Sequence, residues 1–234
     1  MKSETIRIGR RFRGPPDSGN GGYVAGMVAR SLGGSHCTVT LLRPPPLDRD
    51  LWLESDGAGA RLLDGEEAIA TAVRGQVAVD VPPPPSVEGA QAASARFAGL
   101  RHHIFPGCFV CGPERAAGDG LRIFAGPVAG GSEQVAARWS PDESCADAEG
   151  RLRVEMIWAA LDCPGYFAVQ DKAGVALLGR QSVALHAPAL LQPMIVTGWA
   201  VQSEGRKHRV GTALHREDGV LVAASAATWI SPAA

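Results

Sequence analysis

The sequence is poor in several features whose absence narrows its possible roles. Aromatic residues are 6% of the chain, and 23 Lys and Arg balance 24 Asp and Glu. The basic residues are scattered rather than striped, so the electrostatic footprint of a nucleic-acid binder is missing and no such partner is expected. No apolar run approaches the roughly 18 residues of a spanning helix. The opening MKSETIRIGRRFRGPP carries charge with no apolar stretch behind it, so it reads as neither signal peptide nor anchor, and no membrane partner is expected. Cysteine is sparse and odd in number, five residues without secretory context, which fits reduced thiols in a cytoplasmic protein better than a disulfide scaffold. With 234 residues, the chain is long enough for one large domain or two small ones.

A repeat organises what is present. TVTLLRPPPLDRDLWL (38–53) and SVALHAPALLQPMIVT (182–197) each read as an alternating strand, a proline-containing bend and a second apolar strand. LLDGEEAIATA (62–72) and REDGVLVAASA (216–226) each combine an Asp-Gly turn with alternating small and apolar residues, a hairpin pattern. Ahead of each set lies a helix candidate. The first is NGGYVAGMVARSLGG, with Asn20 as N-cap and a closing glycine pair. The second is RVEMIWAALDCPGYFA (153–168), in which Pro164 should end or kink the helix about one turn after Trp158. The order expected per half is helix, then antiparallel strands. Four consecutive prolines and an Ala-rich piece separate the halves, giving a first domain at 1–85, a linker at 86–104 and a second domain at 105–234.

CFVCGPERAAGDGLRIF (108–124), the Leu161-Asp162 pair and EGRKHRVGTALHREDGVLVAASAATWI (204–230) resemble the small hotdog-fold thioesterases. GNGGYVAGMVARSL followed by LLRPPPLDRDLWL resembles, less specifically, the N-terminal half of double-hotdog acyl-CoA thioesterases. The resemblance implies an α+β tandem double hotdog, each half a long antiparallel sheet wrapped around a central helix, with the acyl thioester bound at the seam. It implies hydrolysis of an acyl-CoA or acyl-carrier thioester, no cofactor, and a monomer or a homodimer of double hotdogs.

In such enzymes a carboxylate on one helix faces the N-terminus of the other. Orphan N–H groups at a helix start stabilise an oxyanion, and a carboxylate opposite activates water or attacks the carbonyl. Aligning Asn20 with Arg153, an offset of 133, puts Gly21 and Gly22 against Val154 and Glu155, and Ala29 against Asp162. The glycine pair survives in one half and the carboxylate in the other, so one asymmetric site is expected, built from Asp162, Asn20, Gly21 and Gly22. Asn20 is expected to orient water or the carbonyl, and the amides near Gly22 to hold the oxyanion. Glu155 reads first as a structural residue of a helix start.

Tyr23 and Trp158 are expected to line the acyl pocket or to fill the core, the default for apolar residues at helical spacing. Arg206 and Lys207 are candidates for coenzyme A phosphates, weighed against plain surface solvation. Cys108-x-x-Cys111, with His102 and His103 just upstream, has part of a zinc ligand set, but no second Cys pair follows, so loop packing is the favoured reading and no metal is expected. Cys163 has no His near it in sequence and is not taken as a nucleophile. A non-catalytic acyl-thioester binder is the alternative. A hydratase is weaker, since no Asp-x-Asn-Pro-x-x-His-like stretch is present.

Overall fold

The structure, a computed structural model, describes residues 2–33, 36–130 and 133–233. Gly34, second of the glycines expected to close the first helix, lies outside the described residues. Alternating burial produces strands whose inner faces cover two central helices. The strands are β1 (Lys2–Arg7), β2 (His36–Leu41), β3 (Asp50–Ser55), β4 (Gly59–Asp64), β5 (Glu67–Arg74), β6 (Gly126–Pro127), β7 (Gln134–Trp139), β8 (Leu177–Leu185), β9 (Met194–Glu204), β10 (Lys207–Arg216) and β11 (Leu221–Ile230). They form one 11-stranded sheet in the order β1-β3-β4-β5-β2-β8-β11-β10-β9-β7-β6.

That order reads outward from its centre as the same connectivity twice. β2, β5, β4 and β3 on one side correspond to β8, β11, β10 and β9 on the other. The two sides meet where β2 runs antiparallel to β8, with Thr38 opposite Ser182 and their hydroxyls 2.7 Å apart. The Asp-Gly hairpins also correspond. Gly65 (φ 60°) turns β4 into β5 and Gly219 (φ 88°) turns β10 into β11, a left-handed conformation that glycine adopts without steric cost.

Helix α1 (Gly21–Arg30) begins at Asn20, whose side-chain oxygen accepts the Tyr23 N–H at 2.9 Å, satisfying one orphan donor of the first turn. Its counterpart α3 (Val154–Ala160) is short. The chain breaks at Asp162 (φ −84°, ψ −81°) and resumes as α4 (Cys163–Phe167), with Pro164 in its first turn, where the missing N–H costs nothing. The expected interruption is therefore present.

The close packing of α1 against α3 depends on absent side chains. A Cβ on Gly22 would stand 2.5 Å from Asp162 Cβ, and one on Gly26 would stand 2.5 Å from Glu155 Cα. Both glycines lie one turn apart on one face, so the helices approach until their backbones nearly touch. Trp158, Met156 and Leu161 fill the interior around this contact.

Two expectations need correction. A strand precedes the helix in the first half (β1), and two strands (β6 and β7) precede it in the second, so neither half starts with its helix. The Ala-rich part of 86–104 is no spacer, since it folds as α2 (Val87–Ser94), capped by Ser86, and buries Ala90 and Ala93 against Ala136 and Ile195. Small side chains let this helix lie close on the sheet, a packing role that composition alone did not reveal. No helix of the described residues is long and apolar enough to cross a membrane.

Candidate active site

Asp162 is 1% exposed. Its position follows from the helix break, because leaving helical geometry one residue before α4 turns the carboxylate toward the start of α1. There Oδ2 accepts two hydrogen bonds, from Asn20 Nδ2 at 2.7 Å and from the Gly22 N–H at 3.1 Å. Oδ1 is buried and has no partner among the described residues. Asn20 thus has two duties: its oxygen caps α1 and its nitrogen orients the carboxylate. The cap also fixes which way the amide is turned.

Burial pushes the Asp162 carboxyl up to about 7. The Gly22 N–H and Asn20 oppose the shift, and the nearby Cys108 reinforces it. A carboxylate poised near neutrality is matched to accepting a proton from water at physiological pH.

The expected roles of the glycine pair are redistributed. Gly22 donates to Asp162 itself and is not left for an oxyanion, and Asn20 Nδ2 is likewise engaged on the carboxylate. The Tyr23 and Val24 amides are satisfied by Asn20. The Gly21 N–H is the first-turn donor that no described residue takes, and Gly21 lines the cavity beside Asp162. A helix start leaves such donors by construction.

That cavity holds about 630 Å³. Its wall is more apolar than polar, with Leu41, Ile104, Phe105, Tyr166, Leu178 and Trp229, and Asp162 and Asn20 are among its polar groups. Arg43 and Arg206 also line it. Arg206 Nε donates to the Ser231 carbonyl at 2.8 Å, on the β9–β10 hairpin. Lys207 is exposed and is not part of the lining.

Tyr23 and Trp158 belong to the core rather than the cavity wall. Tyr23 stacks on Phe12 at 4.0 Å between ring centres and meets Phe109 edge-on, and burial, with Glu155 adding to it, raises its hydroxyl to about 12. Trp158 is 2% exposed beneath the helix crossing.

At the position symmetric to Gly22 stands Glu155, buried, with Oε1 3.3 Å from Arg30 and 3.7 Å from Arg153. Ala29 stands where the first half would need the carboxylate. At the symmetric position a buried carboxylate thus meets two part-exposed arginines, and the Glu155–Arg30 pair ties the two helices together.

Sequence reasoning missed one constellation. The fold brings Cys163, at the start of α4, to Cys108 and Cys111, and the three sulfurs all lie within 4.8 Å of one another. All three line the cavity next to Asp162. Cys108 Sγ is 3.8 Å from Cys163 Sγ and 3.9 Å from Asn20 Nδ2, and His103 Nε2 is 3.3 Å from Cys111 Sγ. Hydrogen bonds from the Cys111 and Cys163 thiols, helped by the Cys111 and Val110 amides, hold the Cys108 thiol well below its usual range despite burial. Burial first, then the bond to Cys108, pushes Cys111 up, and donation to Cys108 does the same to Cys163. The Cys-x-x-Cys spacing was the available signal. The third sulfur is contributed by a distant segment and had none.

No family model and no curated protein matches the sequence. Solved structures do match over nearly the whole chain. The tesB protein of Mycobacterium avium subspecies paratuberculosis superposes with a TM-score of 0.63 at 15% identity, covering 99% of this chain and 93% of that one. The acyl-CoA thioesterase II TesB2 of Mycobacterium marinum gives 0.60 at 10% identity, covering 99% and 93%. A protein with the hot dog fold from Alicyclobacillus acidocaldarius gives 0.66 at 10% identity, covering 100% and 94%. At such identities the likeness is one of fold, and it is consistent from end to end: the chain has the hotdog fold seen in TesB-like thioesterase structures.

Proposed function

We propose that this chain is a tandem double hotdog, with halves at 1–85 and 105–234 joined through 86–104, and that it hydrolyses acyl thioesters in the cavity at their seam. The observation that carries this reading is the Asp162 carboxylate, held through Oδ2 by Asn20 and the Gly22 amide while Oδ1 stays unpartnered in an apolar cavity wall. A buried carboxylate oxygen without a donor is costly, and the site is relieved of that cost when a water donates to it.

In the proposed reaction Oδ1 takes a proton from that water as its oxygen attacks the thioester carbonyl. The developing oxyanion is met by the Gly21 N–H, backed by the positive end of α1. The C–S bond then breaks and the thiol leaves with a proton. Apolar residues such as Leu41 and Leu178 receive the acyl group, and Arg206 and Arg43 are placed for the phosphates of coenzyme A or of a carrier's phosphopantetheine arm. Thioesterases among the structural neighbours support the same chemistry.

The test is thiol release from a panel of aliphatic and aromatic acyl-CoAs, with Asp162→Asn beside the wild type. Turnover that falls at least a hundredfold, about the contribution of a general base, with the fold retained, supports the hydrolase. Saturable acyl-CoA binding without turnover by the wild type would replace it with the non-catalytic binder.

A further inference from the structure

We propose that Cys108, Cys111 and Cys163 form a three-thiolate binding site for a divalent, thiophilic cation, zinc above all, in the wall of the cavity. Nothing in the hydrolytic reading uses these sulfurs, and the inference stands without it.

Distances give the first argument. Zinc binds thiolates at about 2.3 Å, so two sulfurs at adjacent corners of its tetrahedron stand about 3.8 Å apart. Cys108 and Cys163 are 3.8 Å apart, and all three sulfurs fall within 4.8 Å. A cation entering among them asks for shifts of less than about an ångström.

The second argument is the local backbone. Cys108 to Gly112 is a tight turn closed by the Gly112 N–H on the Cys108 carbonyl at 2.9 Å, and a Cβ on Gly112 would stand 2.5 Å from that oxygen. The turn folds the chain back between Cys108 and Cys111, which brings the two sulfurs of the pair together.

His103 supports the site without joining the ligands. Its Nδ1 accepts the Phe105 N–H at 3.0 Å, so in the neutral ring the proton sits on Nε2 and is donated to Cys111 Sγ at 3.3 Å. A donating Nε2 has no lone pair for a cation. The imidazole instead donates to the Cys111 sulfur and orients it, as outer groups commonly do around metal sites. The fourth position then belongs to a water or a ligand from the cavity, which all three cysteines line.

The donor set selects the metal. Among divalent ions, thiolates select zinc over magnesium, calcium or manganese.

The decisive experiment titrates the reduced, chelator-free full-length protein with zinc alone, and with cobalt as an optical probe of sulfur ligation. Expected are one tightly held zinc per chain and an intense sulfur-to-cobalt charge-transfer band. Cys163→Ser and Cys163→Ala should lose most of the affinity and weaken the band, with circular dichroism confirming the fold. Cys145→Ser, at a buried cysteine outside the cluster, should retain both. Substoichiometric binding, or undiminished binding by both Cys163 variants, overturns the proposal. Metal uptake is read without turnover, so its failure and that of the hydrolase reading are separable.

Discussion

Asp162 is a residue whose usefulness and cost have one origin. Burial holds its folded-state pKa near 7, above the ordinary carboxylate value of 3.8. Between those values the unfolded chain has released the proton while the folded chain retains it. Stability from this group is therefore greatest below about pH 4, declines as pH rises through the window, and levels off above 7. Three pKa units correspond to roughly 4 kcal/mol. Asp162→Asn removes the charge while keeping an oxygen for Asn20 and the Gly22 amide, so it should melt several degrees above the wild type at pH 8.5, with the gap closing near pH 4. A thermal melt series over pH checks this, and an unchanged gap would mean that the carboxyl titrates normally. The proposed hydrolysis should run opposite to stability, because it would use the carboxylate: kcat/KM should rise with pH along a limb centred near 7, and the variant should lack that limb.

At the scale of the elements, two glycines on one face of α1 separate packing from chemistry. Gly22→Ala and Gly26→Ala both force a Cβ into the α1–α3 contact, and overpacking of this kind costs about 1–3 kcal/mol. Both variants should therefore melt lower by comparable amounts. Only Gly22→Ala presses on Asp162, at 2.5 Å from its Cβ, so it should lose far more kcat at a temperature where both remain folded. Equal activity in the two would deny Asp162 its place in the reaction. The same elements show what a sequence can disclose. The Asn20 cap, the break before Pro164 and the Asp-Gly turns were legible because each is decided within a few residues. The pairing of the glycine start with Asp162 was legible because the repeat aligned two helices. The donor that remains free was not, since the capture of the Gly22 amide by the carboxylate depends on how closely the helices approach. Nor was Cys163's place beside Cys108, which exists only once α4 docks across the loop at 108–112.

For the whole molecule, the proposed tandem arrangement accounts for a single site. Two equivalent halves would give two equivalent seams, but in one of them Glu155, paired with Arg30 and Arg153, stands where the proposed site needs a glycine, while Gly21 and Asp162 stand in the other. In the proposed site one half supplies the helix start and the other the carboxylate. Stability should be shared in the same way. Without the second half β2 becomes a bare sheet edge, and an exposed edge is prone to mispairing. The glycine face of α1 would also lose α3, which it was shaped to meet. Residues 1–85 and 86–234, the second piece keeping α2 on its sheet, should when expressed separately each give little soluble, cooperatively melting protein. Together they should associate through the β2–β8 pairing and the helix crossing, and any thioesterase activity should appear only in the mixture. Circular dichroism melts of each piece and of the pair decide the matter. If 1–85 alone melts as a stable cooperative unit, the seam is only a contact between finished domains; if it does not, the seam is part of the fold and the cavity is a product of folding itself.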